Sequence, residues 1–207
     1  MSCFFDVDKL RDRVRLEMSQ KRYIHTLGVE KCAAYLGGLL MPDRIAELSC
    51  AALLHDVAKE LPRQEQITLA LSFCEGGISE EDIVSDQVLH AYAAPCKILS
   101  DFPEYSTRDI VLSAFRHTTG DPQMTLFDKI IFLADFIEEG RSFYAATSLR
   151  VWVFSSLGEE LSFEEKERII NIACVKEIDR TIESLESRGL KIDERTLLTR
   201  NALASFI

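Results

Sequence analysis

The chain has 207 residues, of which 47% are hydrophobic and 28% charged, and its formal net charge is −10. That is enough apolar chain to bury one domain-sized core and too much for a disordered polymer. The acidic balance, without a Lys/Arg cluster, excludes the basic footprint of a nucleic-acid binder, and no apolar run approaches the roughly 20 residues that a membrane span needs. A small molecule is therefore the expected partner. The opening MSCFFDVDKL is acidic where a secretory signal carries a basic region, so the expected location is cytoplasmic. Six cysteines (Cys3, Cys32, Cys50, Cys74, Cys96, Cys174) make no CxxC pair, and they read as reduced packing residues.

Apolar residues recur at spacings of three and four, and the alternation of half-buried strands is missing, so the fold class is all-α. Helices are predicted at 6–17, 20–38, 43–58, 62–73, 79–85, 88–100, 106–117, 125–138, 142–154, 162–188 and 193–205. Ser19 caps the second helix, and Gly37-Gly38 ends it. Pro42-Asp43 opens the third, and Pro62 marks its end. Gly76-Gly77 and Gly120-Asp121-Pro122 read as loops. Ser162 with Glu164 and Glu165 starts a long amphipathic helix that stops at Arg188-Gly189. Residues 1–188 are expected to form one domain. Residues 189–207 are expected to add a helical tail packed on the domain or on a partner chain, which leaves a homodimer open.

The four histidines, His25, His55, His90 and His117, each fall within or at the edge of an apolar helical pattern. Any one of them alone reads as a core histidine bonded to a backbone carbonyl. Taken together, and with the His55-Asp56 doublet, they point to a metal, because neighbouring helix positions diverge by about 100° and can face two ions from one turn. Asp135 interrupts the run Ile130-Ile131-Phe132-Leu133-Ala134, where a buried, unpaired carboxylate would cost several kcal/mol. A metal ligand removes that cost; the bland alternatives are an exposed helix edge or an arginine partner. Asp128 and Glu138 lie seven before and three after Asp135, so one helix face is expected to carry three acids toward the site. Lys59, one turn after His55, together with Arg22, Arg116, Lys129 and Arg141, stands near enough to these motifs to hold phosphates. The stretch His117-Thr118-Thr119-Gly120 offers hydroxyls and a flexible turn whose amides suit an anion.

In order, His25, then His55-Asp56, then Asp135 resembles the H…HD…D pattern of the HD-domain superfamily of metal-dependent phosphohydrolases, and His90 with His117 resembles its two-metal branch. The strings RYIHTLGVEKCAAYLG, AALLHDVAKEL and RHTTGDPQMTLFDKIIFLADFIEEGR resemble the YqeK-type bacterial family of symmetrical dinucleoside-tetraphosphate hydrolases, over roughly residues 15–185. The resemblance implies an HD-domain helical bundle with a dinuclear site between helices. It puts His25, His55, Asp56 and Asp135 on one ion, and Asp56, His90 and His117 on the other. The implied cofactors are two divalent or trivalent metal ions, iron in the family, with manganese, cobalt or zinc suiting the same ligands.

The implied reaction is cleavage of diadenosine tetraphosphate to two ADP by attack of a metal-bridging hydroxide. Asp56 and Lys59 are its expected catalytic residues, and Arg22, Lys59, Thr118, Gly120 and Arg141 its substrate contacts. The family usually has glycine after the third histidine, where this chain has Ala91, and proline where it has Glu139. These departures bear on the pocket and on Arg141, not on a ligand. The alternatives are an HD-domain nucleotidase or nucleoside-triphosphate phosphohydrolase, a nucleotide-binding HD protein without catalysis, and a helical interaction protein with incidental histidines.

Overall fold

The computed structural model describes residues 5–73 and 86–207, so the helix predicted at 79–85 lies outside the described residues. The chain opens with α1 (Val7–Glu17), whose Asp6 cap accepts from Lys9 N at 3.0 Å. Ser19 accepts from Arg22 N at 3.3 Å and starts α2 (Gln20–Leu40). A short 3-10 turn over Pro42–Arg44 leads into α3 (Ile45–Leu54), followed by α4 (Arg63–Ser72) and α5 (Asp86–Asp101). Thr107 caps α6 (Arg108–Arg116), and Thr125 with Asp128 makes a capping box at the head of α7 (Leu126–Ile137). After α8 (Tyr144–Ser156), a second capping box, Ser162 with Glu165, opens α9 (Phe163–Ser187). The chain leaves α9 through Gly189 at φ +64°, whose N–H bonds Glu186 O while Leu190 N bonds Leu185 O. This is the glycine-ended motif that a basic residue followed by Gly announces. Finally, Asp193 caps α10 (Glu194–Ala204). No strand occurs among the described residues, and none of their helices is long and apolar enough to cross a membrane.

Two predicted boundaries are corrected. The second helix does not stop at Gly37-Gly38 but runs on to Leu40, because Gly37 serves packing: a Cβ there would stand 2.6 Å from Leu48 Cδ1. It lets α2 lie close against α3. The third helix stops at Leu54, four residues before the predicted end, and the chain continues in tight turns closed by Val57 N to Leu54 O (3.1 Å) and Lys59 N to Asp56 O (2.9 Å). Three residues per turn, instead of 3.6, eclipses side chains at i and i+3, so Lys59 stands over Asp56.

Helix α2 packs on α3 and α7, α4 packs on α5, and α5 packs on α6, while α9 lies across α7, α8 and α10. Fully buried Leu36, Leu53, Leu54, Ile110, Phe127 and Ile130 belong to one continuous core. The tail α10 is tied to it: Tyr92 OH donates to Asp193 Oδ2 at 2.7 Å, Leu203 is buried, and Gly120 faces Thr199. A side chain at Gly120, which has φ +70°, would meet Thr199 Cγ2 at 2.6 Å.

Candidate metal centre

Five elements bring the six predicted ligands together. His25 comes from α2, His55 and Asp56 from the turns after α3, His90 from α5, His117 from the end of α6, and Asp135 from α7. Asp56 stands between two groups. Its Oδ2 lies 3.6 Å from His55 Nε2 and 4.0 Å from His25 Nε2, and Asp135 Oδ1 completes that side at 3.0 Å from His25 Nε2 and 3.9 Å from His55 Nε2. Its Oδ1 lies 3.1 Å from His90 Nε2 and 3.4 Å from His117 Nε2, and those two nitrogens are 3.1 Å apart.

These close approaches are mostly not hydrogen bonds. His25 Nε2, His55 Nε2 and Asp56 Oδ1 are buried without a hydrogen-bond partner. Orphaned acceptors facing one another are costly unless something positive joins them. The imidazoles are also oriented for that purpose. His55 Nδ1 is 2.6 Å from Ala52 O, and His117 Nδ1 is 2.7 Å from Ala114 O. A carbonyl only accepts, so Nδ1 carries the proton and Nε2 presents a lone pair to the centre, the usual arrangement of metal-ligating histidine. The donor set therefore fits a metal, and two overlapping triads, His25/His55/Asp135 and His55/Asp56/His117, have their ligand atoms within 4.8 Å of one another.

Electrostatics point the same way. Burial pushes His55 down to about 4 and His90 down to about 3, against the pull of Asp56, so both stay neutral. Asp56 and Asp135 are held well below the usual carboxylate range: burial opposes this, but the surrounding histidines, and Arg141 for Asp135, outweigh it. His25 is the exception. Burial lowers it, but the carboxylates of Asp135, 3.0 Å from Nε2 without hydrogen-bond alignment, and of Glu138 at Nδ1 reverse the sign and bring it to about 9.

The basic residues divide. Arg22 Nη1 donates to Asp56 Oδ2 at 2.5 Å, and Arg141 Nη2 donates to Asp135 Oδ1 at 2.6 Å. Lys59 Nζ lies 2.9 and 3.0 Å from the ring nitrogens of His90. Thr118 Oγ1 is 3.2 Å from His90 Nε2. Gly120 is not brought to the centre: it is buried, its N–H is spent on Arg116 O at 2.8 Å, and its Cα faces Thr199. Arg116 is likewise turned away, onto Asp128 at 2.8 Å, and Lys129 points to the opposite side of α7, toward α9 and α10.

The reading of Asp135 as an unpaired carboxylate is corrected, because Arg141 partners it; the need for a cation rests on the orphaned nitrogens instead. The expectation of three acids on one α7 face holds for two, since Asp128 is consumed by the capping box and Arg116. Glu138 does more than its spacing suggested. Its Oε1 is 3.1 Å from His25 Nδ1, Gly140 N donates to its Oε2, and a Cβ at Gly28 would collide with it. Sequence reasoning had only its i+3 offset from Asp135. Glu138→Gln keeps the shape and removes the charge behind His25; metal affinity is expected to fall about 10- to 100-fold, read by chelator competition. An unchanged affinity would leave Glu138 a purely structural neighbour.

A family model described as HD domain matches residues 22–140. The chain is 34% identical over 194 residues to a symmetrical bis(5'-nucleosyl)-tetraphosphatase of Halalkalibacterium halodurans, covering 92% of each chain. It is 30% identical to a protein of the same description from Bacillus subtilis, over 93% of this chain and 94% of the relative. A crystal structure of a predicted HD superfamily hydrolase involved in NAD metabolism, from Clostridium acetobutylicum, superposes with a TM-score of 0.78 at 29% identity, covering 98% of both chains.

Proposed function

Because this chain belongs to the HD domain family, we propose that it is a metal-dependent phosphohydrolase that cleaves diadenosine tetraphosphate symmetrically into two ADP. The observation that carries this reading is Asp56 standing between two groups of imidazole nitrogens, with the lone pairs of His55 and His117 turned inward. Two metal ions held there, iron by likeness to the family, would acidify a water and neutralise charge on the attacked phosphoryl group.

The chain's own residues do the rest. His25, His55, Asp56 and Asp135 form one ligand set, and Asp56, His90 and His117 the other. Arg22, Lys59 and Arg141 ring this cluster with fixed positive charge, and metal at Asp56 and Asp135 would release the two guanidiniums to polyphosphate oxygens. Such preorganised cations stabilise the diphosphate leaving group as its charge grows. Thr118 opens onto a cavity of about 290 Å³ lined by Thr119, Phe136, Phe143, Arg180 and Arg188. The Phe136–Phe143 ring pair, 5.4 Å between centroids, gives it an aromatic wall for a nucleoside.

Metal-loaded protein incubated with diadenosine tetraphosphate is expected to release ADP alone, resolved by anion-exchange chromatography. ATP with AMP would overturn symmetrical cleavage. Faster turnover of mono- or triphosphates would favour the nucleotidase reading.

A further inference from the structure

Lys129 stands in the same motif as Asp135 yet takes no part in the centre. The residue is 6% exposed, and its ammonium has no ion pair or hydrogen bond among the described residues; it stands 5.9 Å from the centre of the Phe206 ring. Its stem is packed into the protein while its ammonium reaches solvent in the cleft, with no counter-ion beside it among the described residues. Next to it, Asn171 is also 6% exposed, and its Oδ1 has no partner, so the amide has unspent hydrogen-bonding capacity whichever way it is turned. Both residues line one cleft of about 530 Å³, formed by the turn before α7, α9 and the end of α10, with Gln123, Arg168 and Phe206.

We propose that this cleft binds the phosphate group of a small molecule, at a site separate from the metal centre. The two acids at its edge, Glu164 and Glu167, are exposed or half-buried, whereas the Lys129 stem is packed in the floor and fixes where its ammonium stands. A cation anchored in a recess is screened less than acids in open solvent, so it favours an anion there although the chain is acidic overall. Arg168 spends one N–H on Ile207 O at 2.7 Å and keeps the rest of its guanidinium for a ligand. The volume exceeds what a bare phosphate fills and is of mononucleotide size, and Phe206 offers a ring face. The cleft also communicates with the substrate side: the 118–124 loop and α10 each contribute residues to both cavities.

Calorimetric titration of metal-loaded wild-type protein with inorganic phosphate, and separately with AMP, is expected to show two classes of site. Lys129→Met is expected to lose one class, by about tenfold or more in affinity, with metal content unchanged. Arg168→Gln, at an exposed position, is expected to weaken the same class while the circular dichroism stays helical. Tighter binding of AMP than of phosphate would assign the Phe206 ring to the base, and equal affinities would assign the site to the phosphate group alone. Isotherms for both probes that are the same in wild type, Lys129→Met and Arg168→Gln would overturn the proposal.

Discussion

Asp56→Ala is expected to lower kcat/KM for diadenosine tetraphosphate by roughly a thousandfold or more, while metal content falls and the far-UV circular dichroism stays helical. Asp56 is the carboxylate whose two oxygens face both ligand groups, with Oδ1 3.1 Å from His90 Nε2 and Oδ2 3.6 Å from His55 Nε2. Without it, neutral imidazoles are left to hold cations with only Asp135 supplying negative charge. Helicity survives because Asp56 lies in the turns after α3, and because Arg22, which loses its partner, is 26% exposed and can be solvated. Asp56→Asn separates charge from volume and is expected to behave like the alanine variant. Near-normal turnover in either would sink the two-metal reading.

Arg116→Met is expected to cost about 3–5 kcal/mol of stability at neutral pH without touching the ligand set. Arg116 and Asp128 are 10% and 2% exposed, and their side chains meet at 2.8 Å, so the loss leaves a carboxylate buried. Thr125 N and Oγ1 also donate to Asp128, but neither carries charge. Burial already raises the Asp128 carboxyl above its ordinary value, with Arg116 opposing it. Removing Arg116 raises it further. The unfolded chain ionises Asp128 near pH 4, whereas the folded variant resists until higher pH. The deficit relative to wild type is therefore full above the folded-state value and shrinks as pH falls toward about 4. Urea unfolding of both proteins at pH 7.5 and pH 5 measures this difference. Asp128→Asn in the Arg116→Met background is expected to recover most of the loss. A difference that does not change with pH would mean that Arg116 acts by packing alone.

Much of the fold is legible because its signals are local. Ser19, Ser162 and Gly189 act within one turn of their own backbone, so the helices they bound are readable from a few residues. Where a local signal failed, a distant contact had overruled it: Gly37 looks like a helix stop and is instead the place where α2 meets Leu48. The six candidate ligands were legible for a different reason. Histidine and aspartate in apolar helical runs are chemically out of place, and their type and order carry the resemblance to the HD domain.

What no spacing contained is which charge meets which. Glu138 reaches His25 across 113 positions, Arg22 reaches Asp56 across 34, Arg116 turns from the centre to Asp128, and Gly120 is spent on Thr199. The sequence alone determined an all-helical chain and a set of residues suited to metal. Only the tertiary structure decided that Asp56 stands between two donor groups, that Asp135 has an arginine partner, and that Lys129 belongs to a different cleft. Periodicity and capping are properties of one turn of chain, whereas pairing depends on how helices far apart in sequence pack against one another.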